Sequence, residues 1–267
     1  AAYAKKFMGV NCPVYSDLEF DRMITETKPD VVIVTTTDCF HAKYICRAME
    51  LGCDVITEKP MATDEAMTQQ IIDTELRTGR KLRVTFNYRY NPEAEKIYEI
   101  LRTGELGQVT SVDYNYYLDT SHGASYFRRW HGFKQFNGSL WVHKASHHFD
   151  LLNWWLGAEP RQVSAFGELR RYGQNGAFRG QKCRGCMYKD KCEFFYDITQ
   201  DEQSMRLYVD NEKFDGYSTD ACLYREEINI WDTMTANIRY HNGVILTYSL
   251  NCFMPYEGYR AAFNCTK

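Results

Sequence analysis

Two segments of this 267-residue chain place polar residues directly after apolar runs, and a third carries ionisable residues inside an apolar stretch. Thr35-Thr36-Thr37-Asp38 and Glu58-Lys59-Pro60 are the first two, and His147 and Asp150 belong to the third. Imidazole exchanges protons near neutral pH, and a partly buried ammonium can polarise an alcohol oxygen. These residue types could therefore bind a small polar molecule and move a proton to or from it.

The elements around the first two segments form a strand–helix–strand unit. Asp30–Thr36 is a β-branched run between polar residues, which predicts a buried parallel strand. Phe40–Leu51 has helical apolar spacing with Gly52 as a stop, and Val55–Thr57 predicts the second strand. Such units have right-handed crossovers, and ligands bind at the carboxyl ends of their strands. Both polar segments fall at those ends, so Lys59 is well placed to contact a substrate or a cofactor.

Composition and charge argue against several function classes. The chain is 44% hydrophobic and 25% charged, as is usual for a globular protein, and its formal net charge is -3. No basic stripe is present, which argues against nucleic acid and anionic membranes as partners. No apolar run approaches the roughly 20 residues that span a bilayer. We expect a cytoplasmic protein, with export left open because the true N-terminus is expected to lie outside this sequence.

Four segments, in the same order and over nearly the whole chain, resemble the Gfo/Idh/MocA oxidoreductases. In that family a strand is followed by Thr-Pro-Asn-x-x-His, a helix, a second strand and Glu-Lys-Pro. Here the corresponding residues are Thr36–His41 and Glu58–Pro60. Phe86–Pro92 resembles the segment that closes the family's nucleotide domain, and Gly138–Gly157 resembles its catalytic helix. The resemblance implies an oxidoreductase that uses NAD or NADP.

The element pattern predicts an α/β fold followed by an α+β fold. Residues 1–91 are expected to form a partial Rossmann-like parallel sheet domain, because strands and helices alternate there. Residues 92–267 are expected to form an α+β domain for substrate binding and oligomerisation, with an open, mainly antiparallel sheet and a long helix, Ser139–Leu156, on one face. The other predicted helices are Leu18–Thr27, Thr63–Thr78 (capped by Thr63) and Pro92–Arg102, and the other predicted strands are Leu82–Phe86, Val109–Leu118, Arg161–Tyr172, Met205–Val209, Asp232–Tyr240 and Val244–Asn251.

The resemblance also implies roles for single residues. Lys59 matches the lysine that assists proton transfer between nicotinamide and substrate, and His147 matches the catalytic histidine of a His-x-x-Asp motif. Asp150, three residues later on the same helix face, is expected to orient its neighbours and to lie near the substrate. The implied cofactor-binding residues are Thr36, Asp38, His41, Glu58, Lys59, Asn87 and Arg89. The chain departs from the family at Thr37 and Asp38, which replace the usual proline and asparagine.

Residues just before the predicted catalytic helix are candidates for substrate binding. Phe127-Arg128-Arg129-Trp130-His131 contains cations and an indole that could close over nicotinamide or a sugar. Arg129 and Trp130 are therefore predicted to contact the substrate. A packing role for this loop is the alternative.

His143 is the informative departure from the family pattern. The family has an aspartate four residues before the catalytic histidine, whereas this chain has His143, followed by Lys144. Without that carboxylate, nothing offsets the charge of the catalytic lysine. A changed base, a changed substrate and lost dehydrogenase activity are all compatible with this departure. We expect His143 to be a third catalytic group in a subfamily with altered substrate chemistry.

Cys183-x-x-Cys186 and Cys192 form a cluster in a glycine-rich, charged stretch, at about residues 173–222, that lacks a core of its own. Two thiolates presented by a tight turn are typical of zinc knuckles, and Cys222 is the natural fourth ligand. A structural zinc bound by Cys183, Cys186, Cys192 and Cys222 is therefore predicted. The alternatives are a disulfide, free thiols and an iron–sulfur cluster, and Cys252 is the second candidate for the fourth ligand.

The predicted reaction is hydride transfer between nicotinamide and a hydroxyl-bearing carbon of a sugar, a polyol or a related carbohydrate. One alternative is glycoside cleavage by transient oxidation with a tightly held nicotinamide. Another is a binding or sensor protein that keeps the fold without the chemistry. In each case the open sheet is expected to form a homo-oligomer interface.

Both ends of the chain are expected to continue in a longer protein. Residues 1–7 have the pattern of the last turns of a helix, and no Gly-x-Gly turn for a dinucleotide pyrophosphate occurs anywhere in the sequence. The chain also stops within what resembles a strand and turn, at residues 260–267. The sequence therefore does not discriminate NAD from NADP.

Overall fold

The computed structural model describes residues 5, 6 and 8–267, and the chain divides into two compact units, Ala1–Thr85 and Phe86–Lys267. The helix predicted over the first seven residues lies mostly outside this described part. Within it, no helix has both the length and the apolar character needed to cross a membrane.

The first unit contains a three-stranded parallel sheet in the order β1–β2–β3. Its elements are α1 (Phe20–Thr27), β1 (Val31–Val34), α2 (His41–Glu50), β2 (Asp54–Thr57), α3 (Glu65–Thr78) and β3 (Leu82–Val84). The predicted alternation of strands and helices is confirmed. The predicted cap of α3 is wrong by one residue, because the carboxylate of Asp64 accepts the hydrogen bond from the Met67 N–H.

Burial along β1 alternates, which differs from the expected continuous burial. Val32 and Val34 pack into a core with Ile45 of α2. Val31 and Ile33, on the opposite face, are 44% and 67% exposed. The prediction of a strand buried on both faces is therefore wrong for the described residues, because helices cover only one face.

The second unit contains an open five-stranded sheet in the order β5–β6–β7–β4–β8. Three neighbouring pairs are antiparallel and one pair, β4 with β7, is parallel, so the sheet is mainly antiparallel as predicted. The elements are α4 (Pro92–Thr103), β4 (Val109–Asp119), α5 (Thr120–Arg128), α6 (Lys134–Asn137), α7 (Leu140–His143), α8 (Ala145–Leu156), β5 (Pro160–Glu168), α9 (Glu202–Leu207), α10 (Glu212–Asp215), β6 (Thr233–Tyr240), β7 (Ile245–Met254) and β8 (Gly258–Cys265).

Helix α8 is buried against the inner face of this sheet. Leu152 and Trp155 of α8 belong to the same core as Tyr114 of β4 and Tyr248 of β7. A fully buried leucine such as Leu152 contributes roughly 1.5–3 kcal/mol of hydrophobic stabilisation. The indole N–H of Trp155 donates to the Ala94 carbonyl at 2.9 Å, which joins α8 to the start of α4.

The structure interrupts one predicted element of this unit and replaces another. The helix expected over Ser139–Leu156 is divided into α7 and α8, with the break at Lys144, where φ is -101° and ψ is -48°. The strand expected at Met205–Val209 is instead the end of α9 and a following turn. Asp201 caps α9 by accepting hydrogen bonds from the N–H groups of the next turn, which favours the helix.

The long segment between β5 and β6 contains the cysteine-rich insertion. Asp232, fully buried just before β6, closes the base of this segment. Its carboxylate accepts hydrogen bonds from the N–H groups of Arg170, Arg171 and Tyr172 at 2.9, 2.7 and 3.1 Å. One carboxylate therefore fixes the start and the end of the segment together.

Candidate active site

His41 joins the carboxyl ends of β1 and β2. Its side chain is fully buried. Nδ1 lies 2.7 Å from the Pro60 carbonyl oxygen, and Nε2 lies 3.1 Å from that of Thr36. The imidazole therefore shapes the edge of the sheet that carries Lys59, and its expected contact with the cofactor stays a prediction.

Asp38 is a buried carboxyl group at the same edge, with 3% of its surface exposed. Burial raises the pKa of Asp38 to about 7, because the charged form loses its hydration, while the charges of His41 and Lys59 act in the opposite direction. Near neutral pH a fraction of this group is protonated. In that form Asp38 can donate a hydrogen bond to a ligand oxygen, as the family's asparagine amide would.

The other predicted cofactor-binding residues of the first unit are more accessible. Thr36 and Glu58 are exposed, and Lys59 is half-buried. The Thr36 hydroxyl donates a weak hydrogen bond to the Thr37 carbonyl at 3.3 Å, and the Glu58 carboxylate accepts one from the Lys59 backbone N–H at 3.2 Å. This edge thus combines a hydroxyl, an ammonium and a carboxylate within two short segments.

In the second unit, His147 lies on α8 against two aromatic rings. Its imidazole stacks on Tyr88, with centroids 4.0 Å apart and planes 8° from parallel. Phe86 meets it edge-on at 6.3 Å. The side chain is 6% exposed, so the plane of the ring is fixed by packing. Sequence reasoning identified His147 but not the tyrosine that holds it.

Lys144, to which the sequence assigned no role, is buried at the break between α7 and α8. It is only 4% exposed, and its Nζ donates to the Tyr88 hydroxyl at 3.1 Å. The ammonium also lies 4.9 Å from the centroid of the Tyr116 ring, a cation–π distance. The signal for Lys144 was its position inside an apolar helical stretch, where an unpaired lysine is not expected.

His143, at the end of α7, has a different set of neighbours. Its ring meets His131 at 4.4 Å, and Trp130 and Tyr126 each at 5.7 Å, all edge-on. Trp130 also stacks on His131 at 3.7 Å. The structure therefore places two predicted site residues, His143 and Trp130, around His131, to which the sequence assigned no role. Their catalytic and substrate roles stay predictions.

Arg89 and Asp150, predicted for the cofactor and the substrate, bind each other. The guanidinium donates from Nε to Oδ2 at 2.7 Å and from Nη2 to Oδ1 at 2.5 Å. Asp150 raises the pKa of Arg89 through these hydrogen bonds. The pair joins the short turn Asn87–Tyr90 to α8, and Asn87 itself is exposed. The expected orienting role of Asp150 stays a prediction.

Arg129 lines a separate cleft of about 560 Å³ beside α5. Its Nε donates to the Tyr217 hydroxyl at 2.7 Å, and its guanidinium lies 5.9 Å from the centroid of the Tyr208 ring. Hydroxyl and aromatic side chains from α5 and the insertion complete the cleft, namely Thr120, Ser121, Ser125, Phe195, Tyr196, Ser204 and Thr219. Surfaces of this composition suit carbohydrate binding.

All four cysteines of the predicted zinc site line one small cavity of about 20 Å³. All ten cysteines of the chain are free thiols in the structure. Among the described residues, no three His, Cys, Asp or Glu side chains are arranged closely enough to hold a metal ion as they stand. The zinc site therefore stays a prediction.

Comparison with known proteins identifies the family. The model "Oxidoreductase family, NAD-binding Rossmann fold" matches residues 2–86, and "Oxidoreductase family, C-terminal alpha/beta domain" matches residues 98–262. The putative oxidoreductase YteT of Bacillus subtilis is 41% identical over 281 residues, covering 100% of this chain and 66% of its own length. D-glucoside 3-dehydrogenase of Escherichia coli is 31% identical over 99 residues, covering 37% of this chain and 28% of that protein.

A crystal structure of scyllo-inositol dehydrogenase from Lactobacillus casei has the same fold. Its TM-score is 0.67 at 18% identity, and the match covers 100% of this chain and 62% of that one. This chain thus spans about two thirds of the length of YteT and of this structure. Because the two family models match well over half of the sequence, the chain belongs to the Gfo/Idh/MocA oxidoreductase family.

Proposed function

We propose that this protein is an NAD(P)-dependent oxidoreductase that acts on a hydroxyl group of a sugar, a polyol or a related carbohydrate. The observation that carries the proposal is His147, an imidazole oriented by Tyr88 on the helix that matches the family's catalytic helix. Family membership and the similarity to a glucoside dehydrogenase support the reaction class.

The donor set at the ends of β1 and β2 fits part of a nicotinamide dinucleotide. Exposed Thr36 and Glu58 can exchange hydrogen bonds with ribose hydroxyls, and Asp38 can bind an amide or a hydroxyl. The sequence contains no Gly-x-Gly turn for the pyrophosphate. The residues present therefore fit the sugar and nicotinamide portions of the cofactor.

The cofactor, when bound, supplies the hydride acceptor, and the residues of this chain handle the proton. We assign to His147 the role of general base, which removes the proton from the substrate hydroxyl during oxidation and returns it during reduction. To Lys59 we assign the role of the family's lysine, whose ammonium group polarises the substrate hydroxyl. Arg89 and Asp150 fix the helix that carries His147. His143 stays a candidate third group.

The test compares His147→Ala and Lys59→Ala with the unchanged full-length enzyme. We expect each variant to lower turnover about 10²- to 10⁴-fold, the usual contribution of a positioned acid–base group, while the Kd for NADH changes little. Turnover is followed by NADH absorbance with a panel of glycosides and inositols, and cofactor binding is followed by calorimetry. His241→Ala and Lys81→Ala, at exposed positions, are the matched controls.

Near-normal turnover in either variant would contradict the role assigned to that residue. Sugar release without a net change in NADH absorbance would instead identify glycoside cleavage by transient oxidation. We further propose that the protein forms a homo-oligomer through its open sheet.

A further inference from the structure

The four cysteines of the insertion meet around a space that holds one atom-sized ligand. The cavity of about 20 Å³ is only slightly larger than the smallest space that admits one water molecule. Cys183, Cys186, Cys192 and Cys222 all line it, although they span 40 residues of a segment with little regular structure. Convergence of every cysteine in the insertion on one small cavity indicates a common ligand.

The backbone presents these cysteines in pairs. Lys182 and Ala221 form an isolated antiparallel bridge, flanked by hydrogen bonds from Cys183 N–H to Asp220 and from Cys222 N–H to Gln181, each of 2.8 Å. Since side chains alternate between faces along a strand, Cys183 and Cys222 lie on the same face of this ladder.

Cys183 and Cys186 form the second pair. The Cys186 N–H donates to the Cys183 carbonyl at 3.0 Å, and Gly185, between them, has a φ of +71°. This left-handed conformation favours glycine and closes a tight turn. Two thiols are thus presented from one turn, as in zinc knuckles.

Arg128 supplies an independent observation. The residue is 7% exposed, and Nη1 lies 3.1 Å from Cys183 Sγ. Its remaining partners are the carbonyls of Ala221 and Phe194 and the ring of Tyr196, so within the described residues no carboxylate balances this buried charge. An isolated buried cation is unfavourable, and an anionic ligand cluster beside it would offset the charge.

We propose that Cys183, Cys186, Cys192 and Cys222 bind one Zn²⁺ ion as four thiolates. Binding releases four protons and leaves a cluster of net charge -2, which Arg128 partly neutralises. As they stand the side chains are not close enough to hold the ion, so the proposal requires them to rotate about their Cα–Cβ bonds toward the cavity, between staggered conformers. Zn²⁺ is the metal that tetrahedral thiolate sites of this kind most often hold.

The zinc ion would organise one wall of the Arg129 cleft. Phe195 and Tyr196 come three and four residues after Cys192, and Thr219 precedes Cys222 by three residues. All three line that cleft. The Phe195 N–H also donates to the Cys192 carbonyl at 3.0 Å. Loss of the ion should therefore loosen this wall and leave the five-stranded sheet intact.

The test is elemental analysis of fresh protein purified in reductant without chelators. We expect about one zinc per chain, which falls to background in Cys186→Ser and in Cys222→Ser. Cys265→Ser, outside the insertion, is the matched control and should retain the ion. Metal-free reduced protein with a native circular dichroism spectrum, or full zinc content in both insertion variants, would overturn the proposal.

A measurement on the unchanged chain avoids dependence on the folding of variants. Zinc is removed with a mercurial and a chelating dye, and the reduced protein is reconstituted with Co²⁺. Intense near-ultraviolet thiolate-to-cobalt charge-transfer bands would support four thiolate ligands. Absence of these bands, with cobalt uptake no higher than in a chain lacking all four cysteines, would refute them.

Discussion

His147 and His148 are neighbours in the sequence but lie in different chemical environments. His147 stacks on Tyr88, whereas His148 is fully buried, with Nδ1 2.8 Å from the hydroxyl of Tyr248 and its ring 4.0 Å from that of Tyr116. The His-x-x-Asp motif assigns the catalytic role to the first of these two histidines, and that role stays a prediction. It could not reveal Tyr88 or Lys144, because their roles depend on contacts between residues more than 50 positions apart.

Asp38 gives a prediction about pH. The unfolded chain loses this proton near pH 3.8, whereas the folded state keeps it until about pH 7, so the folded state loses stability as pH rises between these values. Asp38→Asn removes the titrating group. We therefore expect the free energy of unfolding of the variant, relative to that of the unchanged protein, to rise by roughly 2 kcal/mol from pH 5 to pH 8.

Urea unfolding at the two pH values measures this difference. Asp73→Asn, at an exposed position on α3, controls for the general effect of removing a carboxylate. If the difference in unfolding free energy between Asp38→Asn and the unchanged protein stays constant with pH, burial does not raise the pKa of Asp38 to about 7.

At the scale of elements, the break between α7 and α8 shows what apolar spacing cannot predict. No glycine or proline occurs at Lys144, and the pattern from Leu140 to Leu156 is compatible with one helix. The break coincides with the burial of the Lys144 side chain between the rings of Tyr88 and Tyr116. A tertiary contact of this kind leaves no local signal, whereas the strands β6 and β7 and the hairpin turn at Asn242-Gly243 were predictable from alternation and turn residues.

The ion pair of Arg89 and Asp150 joins the turn Asn87–Tyr90 to α8, and we expect it to stabilise the fold. Their side chains are 40% and 10% exposed, between a surface pair and a buried pair. We expect Arg89→Met or Asp150→Asn to lower the free energy of unfolding by roughly 1–3 kcal/mol, because each leaves a partly buried charge or acceptor without its partner. The double variant should lose less than the sum of both.

A double-mutant cycle from urea unfolding measures the coupling energy. Lys96→Met, which breaks the exposed pair with Glu99 on α4, should have little effect by comparison. Additive losses in the Arg89 and Asp150 variants would mean that the two side chains do not stabilise each other.

At the scale of the whole molecule, the sequence was sufficient to predict the two kinds of sheet. It predicted which strands are neighbours within them only in part. Alternation of strands and helices predicted the parallel sheet, and consecutive strands predicted a mainly antiparallel one. The parallel pairing of β4 with β7 was not predicted, because residues 120–244 separate the two strands. Sequence patterns report periodicity within an element and carry little information about partners so far apart.

The outer face of the large sheet gives the prediction for assembly. Phe166 and Ile245, which point to this face, are 75% and 50% exposed among polar neighbours. We expect light scattering to give a multiple of the 31.3 kDa chain mass, and Phe166→Glu to shift it toward the monomer, because the charge would be buried in the interface. Leu76→Glu, on exposed α3, is the control, and an unchanged mass for Phe166→Glu would exclude this face as the interface.

The position of β4 between β7 and β8 bears on how the chain is made in a cell. On the ribosome, β4 emerges first and has neither neighbour until residues 245–265 follow. At ~5–20 residues per second this delay is on the order of ten seconds. During that time a tyrosine-rich strand with unpaired edges is exposed, and such strands readily join other chains. Synthesis of this protein should therefore depend on chaperones that shield nascent β4, and slower translation should increase aggregation.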